Sequence, residues 1–193
     1  MRYILGIDPT SGARSSLGLA MIDFQTMSII LTKDHTVAPS KELRVRLKSI
    51  ASFLIKTFKE IELRNFGEYA IGVEQTVMQG PGGESLNRAI GVIMLTTPVN
   101  RPLFHISNMQ MKVVAGGHGK ADKKEIGTYL KDVVFKDNKE SRELLFNLIA
   151  SSRWDIIDAI GIGVTTYEKQ YKKPSSEPAI KCVKAFKKSS NKV

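Results

Sequence analysis

The sequence predicts an α/β fold, with a central sheet that carries helices on both faces. Three apolar segments, at residues 3–7, 17–24 and 27–32, are joined by short polar turns and are typical of a three-stranded meander. Predicted helices then alternate with two further strands along the chain. Because a strand–helix–strand step is right-handed and parallel, the first and fourth strands should end side by side.

The later elements follow from apolar spacing and from helix-breaking residues. Leucine, isoleucine and phenylalanine recur every three or four residues from Leu43 to Ile61, which indicates a long amphipathic helix. Pro98 marks the end of another helix. The predicted elements are strands at residues 69–74 and 103–107 and helices at residues 41–66, 84–95, 120–133, 140–150 and 153–167.

The composition is that of a soluble globular domain with an anionic partner. At 193 residues, 42% hydrophobic and 25% charged, the chain is long enough to bury one core. Its 29 Lys and Arg against 19 Asp and Glu give a formal charge of +10, which favours nucleic acid as a partner. No stretch approaches the roughly 20 apolar residues that span a bilayer, and no signal-peptide pattern is present, so no membrane partner is expected.

The end of the chain has a different composition. From Glu168 onward there are eight Lys and two Glu among scattered Pro and Ser, which predicts a flexible basic tail at residues 169–193 after a folded domain at residues 1–168. The tail is either a nucleic-acid contact or a solubilising terminus. Cys182 is the single cysteine, so an internal disulfide and a cysteine zinc site are excluded and a cytoplasmic protein is expected.

Two predicted strands end on acidic residues. Asp8 follows the apolar run ILGI, and Glu74 ends the strand at residues 69–74. Burying an unpaired carboxylate is costly, so Asp8 either caps a turn or requires a positive partner. Because ligands bind at the strand ends of an open α/β sheet, Asp8 and Glu74 are candidate site residues.

The last predicted helix carries two more acids, Asp155 and Asp158, in the segment WDIIDAIGIG. Three residues apart, they share one helical face, although first turns of helices also favour Asp through the helix dipole and capping. If these two carboxylates converge with Asp8 and Glu74, their repulsion requires cations, and Mg²⁺ suits oxygen ligands. Two such ions, roughly 4 Å apart, would activate a water and stabilise the leaving oxygen of a phosphodiester.

Four segments together resemble a known family. In order and spacing, ILGIDPTS, YAIGVEQTVM, MKVVAGGHGKADK and WDIIDAIGIG resemble the four motifs of RuvC-type Holliday junction resolvases, and the resemblance spans about residues 2–167. It implies an RNase H-like fold, with a mixed five-stranded sheet whose first three strands are antiparallel. It also implies a homodimer that acts on four-way DNA junctions, in a bacterial cell or a phage-infected host, with the helix at residues 84–95 in the dimer contact.

The resemblance also implies roles for individual residues. Lys112 and Lys123 occupy the places of two family lysines near the site, where their charge would hold phosphates or offset transition-state charge. Without the resemblance, each would be read as a surface lysine. The implied metal ligands are Asp8, Glu74, Asp155 and Asp158.

Two further positions bear on substrate contacts. His118 lies among Gly116, Gly117 and Gly119, in a segment that suggests close approach to a backbone, and is either a phosphate contact or an exposed loop residue. Val77 stands where many family members carry an aromatic residue, and it offers no π face on which a base could stack. Junction opening or sequence preference should therefore differ in this chain.

The predicted function is a Mg²⁺-dependent endonuclease for four-way or branched DNA, with Mn²⁺ able to substitute and no nucleotide cofactor. One alternative is a nuclease of the same fold that acts on RNA or flapped DNA, and another is a junction-binding protein without catalysis. The segment GIDPTSGARSSLGLAMID is also faintly similar to the first phosphate loop of actin-like and sugar-kinase phosphotransferases. Those proteins need two such domains, which 193 residues do not supply.

Overall fold

The structure, a computed structural model, describes residues 1–75 and 81–172 as a sheet between two layers of helices. The strands are β1 (Tyr3–Asp8), β2 (Ser16–Asp23), β3 (Ser28–Thr36), β4 (Tyr69–Gln75) and β5 (Leu103–Ser107). The helices are α1 (Leu43–Leu63), α2 (Pro81–Thr96), α3 (Asn108–Gly116), α4 (Lys123–Tyr129), α5 (Lys139–Ala150) and α6 (Trp154–Gln170), with a π-helical turn at Leu130–Val134. Within the described ranges, no helix has both the length and the hydropathy needed to cross a bilayer.

The five strands form one mixed sheet in the order β3-β2-β1-β4-β5. The first three strands pair antiparallel, whereas β4 runs parallel to both β1 and β5. In the β1–β4 register, Gly6 pairs with Gly72 and Ile7 pairs with Val73. The predicted α/β, RNase H-like sheet is therefore confirmed, and the carboxyl ends of β1 and β4 lie side by side.

Alternate residues of each strand enter two separate cores. On β1, Leu5 and Ile7 belong to the core beneath α1 and α2, while Ile4 belongs to the core on the opposite face. That opposite core is built on α6, together with residues of α3, α4 and α5. Because side chains alternate along a strand, Asp8 shares the face of Ile4, on the side covered by α6.

Helix α6 lies almost directly on the sheet backbone. Every residue from Ile156 to Thr166 is buried. A side chain at Gly6 would collide with the Ala159 carbonyl and lie 2.7 Å from the Gly163 nitrogen, so only glycine allows this approach. The predicted helix at residues 153–167 is confirmed, and its close packing determines where its acidic residues stand.

The structure corrects several predicted boundaries and adds one helix. Strand β3 continues to Thr36 rather than ending at residue 32, because it pairs along the whole of β2. Helix α3 was not predicted. The helix predicted from residue 120 begins at Lys123, since Asp122 caps it. Val77, Cys182 and the predicted tail beyond residue 172 lie outside the described residues.

Candidate active site

Strands β1 and β4 deliver two of the predicted carboxylates to one face of the sheet. Gly6 and Gly72 pair with each other, and both lie against α6. Asp8 and Glu74 follow two residues later in their strands, so they face the same side. Asp8 is 9% exposed, whereas Glu74 is half-buried.

The first turns of α6 deliver the other two predicted carboxylates. Gly18 pairs with Asp8 in the β1–β2 register, and a Cβ at Gly18 would collide with the carbonyl of Asp155. Asp155, in the first turn of α6, therefore lies over β2 beside Asp8. Asp158, one turn later, is buried, and Asp155 is half-buried. The first-turn position of Asp155 also matches the dipole preference considered from sequence.

The electrostatic environment of Asp8 reflects the other three acids. Burial raises the pKa of Asp8 well above its ordinary value, because it disfavours the charged form. The charges of Asp158, Glu74 and Asp155 raise the Asp8 pKa further, and only Lys123 opposes them among the causes of the shift. The structure thus places the other three predicted carboxylates within electrostatic range of Asp8.

Lys123 provides a positive charge within this group. Its Nζ lies 2.7 Å from Asp158 Oδ2. Burial raises the pKa of Asp158, and the hydrogen bond and charge of Lys123 reduce that rise. Burial would lower the pKa of Lys123, but its hydrogen bond and the negative charges of Asp158, Asp8 and Asp155 raise it. Lys123 is therefore held as a cation against the buried carboxylates.

Local capping explains why Lys123 reaches this position. Asp122 is the N-cap of α4, and its Oδ1 accepts a hydrogen bond from the Glu125 amide at 2.8 Å. In return, the Asp122 amide donates to Glu125 Oε2, also at 2.8 Å. This capping box fixes the start of α4 at Lys123. Its first residue then projects toward α6.

Asn108 is a site residue that the sequence analysis missed. Its Nδ2 donates to Glu74 Oε1 at 2.8 Å from the first residue of α3. Ser107 and Gln110 form a capping box at the start of this helix. The Ser-x-x-Gln spacing directly after a predicted strand was the available signal for α3, and with it for Asn108.

The loop that follows Asp8 is tied to both helices on the far face of the sheet. The buried Ser11 has its hydroxyl 2.9 Å from that of Ser85 on α2. The Arg46 guanidinium on α1 donates to the carbonyls of Ser11, Ser40 and Lys41 at 2.8, 2.8 and 3.0 Å. These contacts join segments distant in sequence, so no local pattern indicates them.

Two predicted residues, Lys112 and His118, form no ion pair with the four candidate carboxylates. Lys112 is half-buried on α3 and makes no ion pair with any residue that the structure describes. His118 is exposed after α3, with its Nε2 3.8 Å from Glu125 Oε1, which favours the loop-residue interpretation. Gly116 ends α3, and Gly117 caps it with a positive φ of 79°, so the glycine segment begins as a helix terminus.

The donor set has the chemistry that a hard divalent cation requires. It offers oxygen ligands only, and negative charge exceeds positive charge around the buried Asp8. Within residues 1–75 and 81–172, however, no three His, Cys, Asp or Glu side chains are gathered closely enough to hold a metal as they stand. Asp158 and Glu74 are engaged by Lys123 and Asn108. The residues fit a metal by charge and ligand type, and side-chain rotation would be needed to complete a ligand set.

Comparisons with solved structures place the fold. No family model matches the chain, and no curated protein matches it significantly. The structure of Thermus thermophilus RuvC is similar, with a TM-score of 0.63, 20% sequence identity and coverage of 86% of this chain and 95% of that chain. T. thermophilus RuvC in complex with a Holliday junction substrate is also similar, with a TM-score of 0.64, 17% sequence identity and coverage of 89% of this chain and 97% of that chain. At these identities the likeness establishes the fold, and it confirms that the structural neighbours include RuvC, as the motifs predicted.

Proposed function

We propose that this chain is a metal-dependent endonuclease that cleaves branched DNA, with four-way junctions as its principal substrate. The observation that carries the proposal is that the charges of Glu74, Asp155 and Asp158, on β4 and α6, act on the buried Asp8 at the end of β1. The fold shared with RuvC structures, one of them bound to a Holliday junction substrate, supports the choice of substrate. The formal charge of +10 is consistent with an anionic ligand.

Four carboxylates would hold the metal: Asp8, Glu74, Asp155 and Asp158. Mg²⁺ is the proposed ion, with Mn²⁺ able to substitute and two ions in each site. When bound, these ions supply activation of the attacking water and stabilisation of the leaving oxygen. The strand ends and the tightly packed α6 fix the backbones of these four residues, so their carboxylates would hold the ions at defined positions.

The lysines are proposed to act on the substrate phosphates. Lys123 is held as a cation beside Asp158, where its ammonium group can bind a phosphate oxygen and offset charge as the transition state develops. Lys112 lies on the helix that begins at Glu74's partner, Asn108, and is proposed to bind a neighbouring phosphate. The expected products carry 5′-phosphate and 3′-hydroxyl ends.

A cleavage assay tests the proposal. Wild type, Asp8→Asn and Glu74→Gln should be incubated with Mg²⁺ or Mn²⁺ and a panel of four-way, flapped, duplex and RNA substrates. Asp137→Asn, which alters an exposed aspartate, is the matched control and should retain wild-type activity. We expect both site variants to lose at least a hundredfold in rate on junctions. Equal activity in all the variants would end the assignment, and preferential cleavage of RNA or flaps would favour the alternative nucleases.

Two copies of the chain are proposed to act together on a junction. Leu95, at the end of α2, is 89% exposed, which is consistent with a role for α2 in self-association. Leu95→Glu should shift sedimentation toward the monomer. Leu63→Glu is the control, because Leu63 ends α1 and is 87% exposed. A monomeric wild type would contradict this part of the proposal.

A further inference from the structure

The outer face of α3 combines exposed apolar side chains with a lysine. Met109 is 65% exposed and Val113 is 50% exposed, and they stand one helical turn apart. The half-buried Lys112 lies beside Met109, three residues further along, while Met111 and Ala115 on the opposite side are buried in the core. We call Met109, Lys112 and Val113 the α3 outer face.

Contacts with the carboxylate site lie on both sides of this face. Asn108, the first residue of α3, donates to Glu74 at 2.8 Å. The chain leaving α3 reaches Lys123, whose Nζ is 2.7 Å from Asp158. At 1.5 Å per residue, Val113 lies about 7.5 Å along the helix from Asn108. Duplex nucleotides are spaced about 3.4 Å apart per strand, so the face spans roughly two nucleotides beside the carboxylates.

The segment after α3 packs against one side of this face, and Met109 and Val113 remain 65% and 50% exposed. A Cβ at Gly119 would lie 2.9 Å from Met109 Sδ and 3.7 Å from a Val113 methyl group. The backbone at Gly119 therefore lies close to both apolar side chains, and glycine adds no side chain that would cover more of them. A ligand that lies along α3 can contact Met109 and Val113 directly.

The charge around the face identifies the ligand. Lys112, Lys120 and Lys124 make no ion pair with any of the described residues, and the last two are exposed. Phosphates would supply the missing negative charges, while sugars and bases would cover the apolar side chains. Apolar side chains such as Met contact or wedge between bases in known nucleic-acid complexes. A nucleic-acid strand matches both components.

We infer that Met109 and Val113 contact the sugar or base of a nucleotide next to the scissile phosphate. This inference rests on the proposed function, because the same strand must present its phosphate to the carboxylates. Lys112 and Lys120 then bind phosphates of that strand. The two kinds of contact differ in their salt dependence, since phosphate contacts release counterions and apolar contacts do not.

Binding of a labelled four-way junction across a range of NaCl concentrations, in buffer containing EDTA, tests this inference. The double variant Met109→Gln, Val113→Thr should bind about tenfold more weakly with an unchanged slope of log affinity against log salt. Lys120→Ala should instead reduce that slope by about 0.9. Val45→Thr, on α1 in the opposite helical layer and 41% exposed, is the control and should bind like wild type.

Rescue and oligomeric state complete the test. Met109→Leu keeps the apolar area and should retain wild-type affinity. Unchanged affinity of the double variant overturns the inference. A loss of affinity that accompanies a shift to monomer in sedimentation also overturns it, because the face would then be a dimer contact. Because binding is measured without metal, failed cleavage would refute the proposed nuclease and leave the binding result standing.

Discussion

Gly18→Ala should destabilise the protein, because no space exists for the added methyl group. A Cβ at Gly18 would collide with the carbonyl group of Asp155 and lie 2.9 Å from the Ile156 nitrogen. All of these atoms belong to the α6 backbone, so no side-chain rotation can relieve the overlap. Strand β2 and the first turn of α6 must move apart.

The required displacement sets the magnitude. Distances from a Cβ below 3.0 Å are essentially never observed, so β2 and α6 must separate by about 1 Å. Overpacking of this kind costs about 1–3 kcal/mol, and the cost lies near the upper end here because two backbones collide. Replacing glycine returns about 0.4–1 kcal/mol through the unfolded state. The net loss is about 2 kcal/mol, or roughly 4–8 °C in Tm for a chain of this length.

Gly91→Ala provides the matched control. Gly91 lies inside α2, and a Cβ there meets nothing within 4 Å. Removing a helix-interior glycine should raise stability by about 0.5–1 kcal/mol. Urea unfolding followed by circular dichroism measures both variants. A Gly18→Ala protein as stable as wild type would show that α6 does not lie on β2 as described.

The same substitution probes the candidate site. Separation of α6 from β2 moves Asp155 and Asp158 away from Asp8. The stabilisation that Mg²⁺ gives to wild type in thermal unfolding should therefore shrink in Gly18→Ala and persist in Gly91→Ala. Equal stabilisation of both variants would mean that the metal does not bridge α6 and the sheet.

Three further predictions concern charge and loop anchoring. In EDTA, Asp8→Asn should raise the free energy of unfolding near neutral pH by on the order of 1 kcal/mol. The pKa of Asp8 is raised in the folded state, so the wild-type protein loses stability as pH rises from about 4 through that pKa, and the asparagine variant does not. A lower Tm for the variant would contradict the clustering of the acids. Arg46→Ala should cost about 2 kcal/mol through its three carbonyl contacts. Arg44→Ala, two residues earlier and exposed, should change stability by less than about 0.5 kcal/mol, and equal losses in urea titrations would refute the anchoring role of Arg46. Deletion of residues 173–193 should weaken junction binding and lower its salt slope, and an unchanged slope would leave the tail a solubilising role only.

The sheet could be predicted because its signals are local. Each apolar run is bounded by polar turns, and the crossover rule orders β1 beside β4. The predicted ends of strands were less accurate where hydrogen-bonded pairing with a neighbouring strand sets them. Strand β3 gains Lys33, Asp34 and His35 beyond its apolar portion, because they pair with β2 along a partly exposed edge. Nothing in their hydropathy distinguishes these residues from a loop.

Helix α3 shows how a short helix escapes apolar periodicity. It has nine residues, and only Met111, Ala115 and Gly116 are buried. Two of its exposed positions, Met109 and Val113, are apolar, so the contrast between its faces is weak. Its capping box was the usable signal, and reading it would have extended the predicted site to Asn108.

The four candidate ligands were found because acids are conspicuous at strand ends and in an apolar helix. The distance between the acids of α6 and those of the sheet depends on residues that have no functional side chain. Gly6 and Gly18 lie in adjacent strands, where glycine weakens a strand by loss of packing and chain entropy. The compensation is the approach of α6 to the sheet backbone, which a side chain at either position would prevent. Substitution of Gly18 should therefore reduce metal binding although every candidate ligand is retained. The geometry of the site thus depends in part on glycines whose role can be recognised only from the packing of α6 on the sheet.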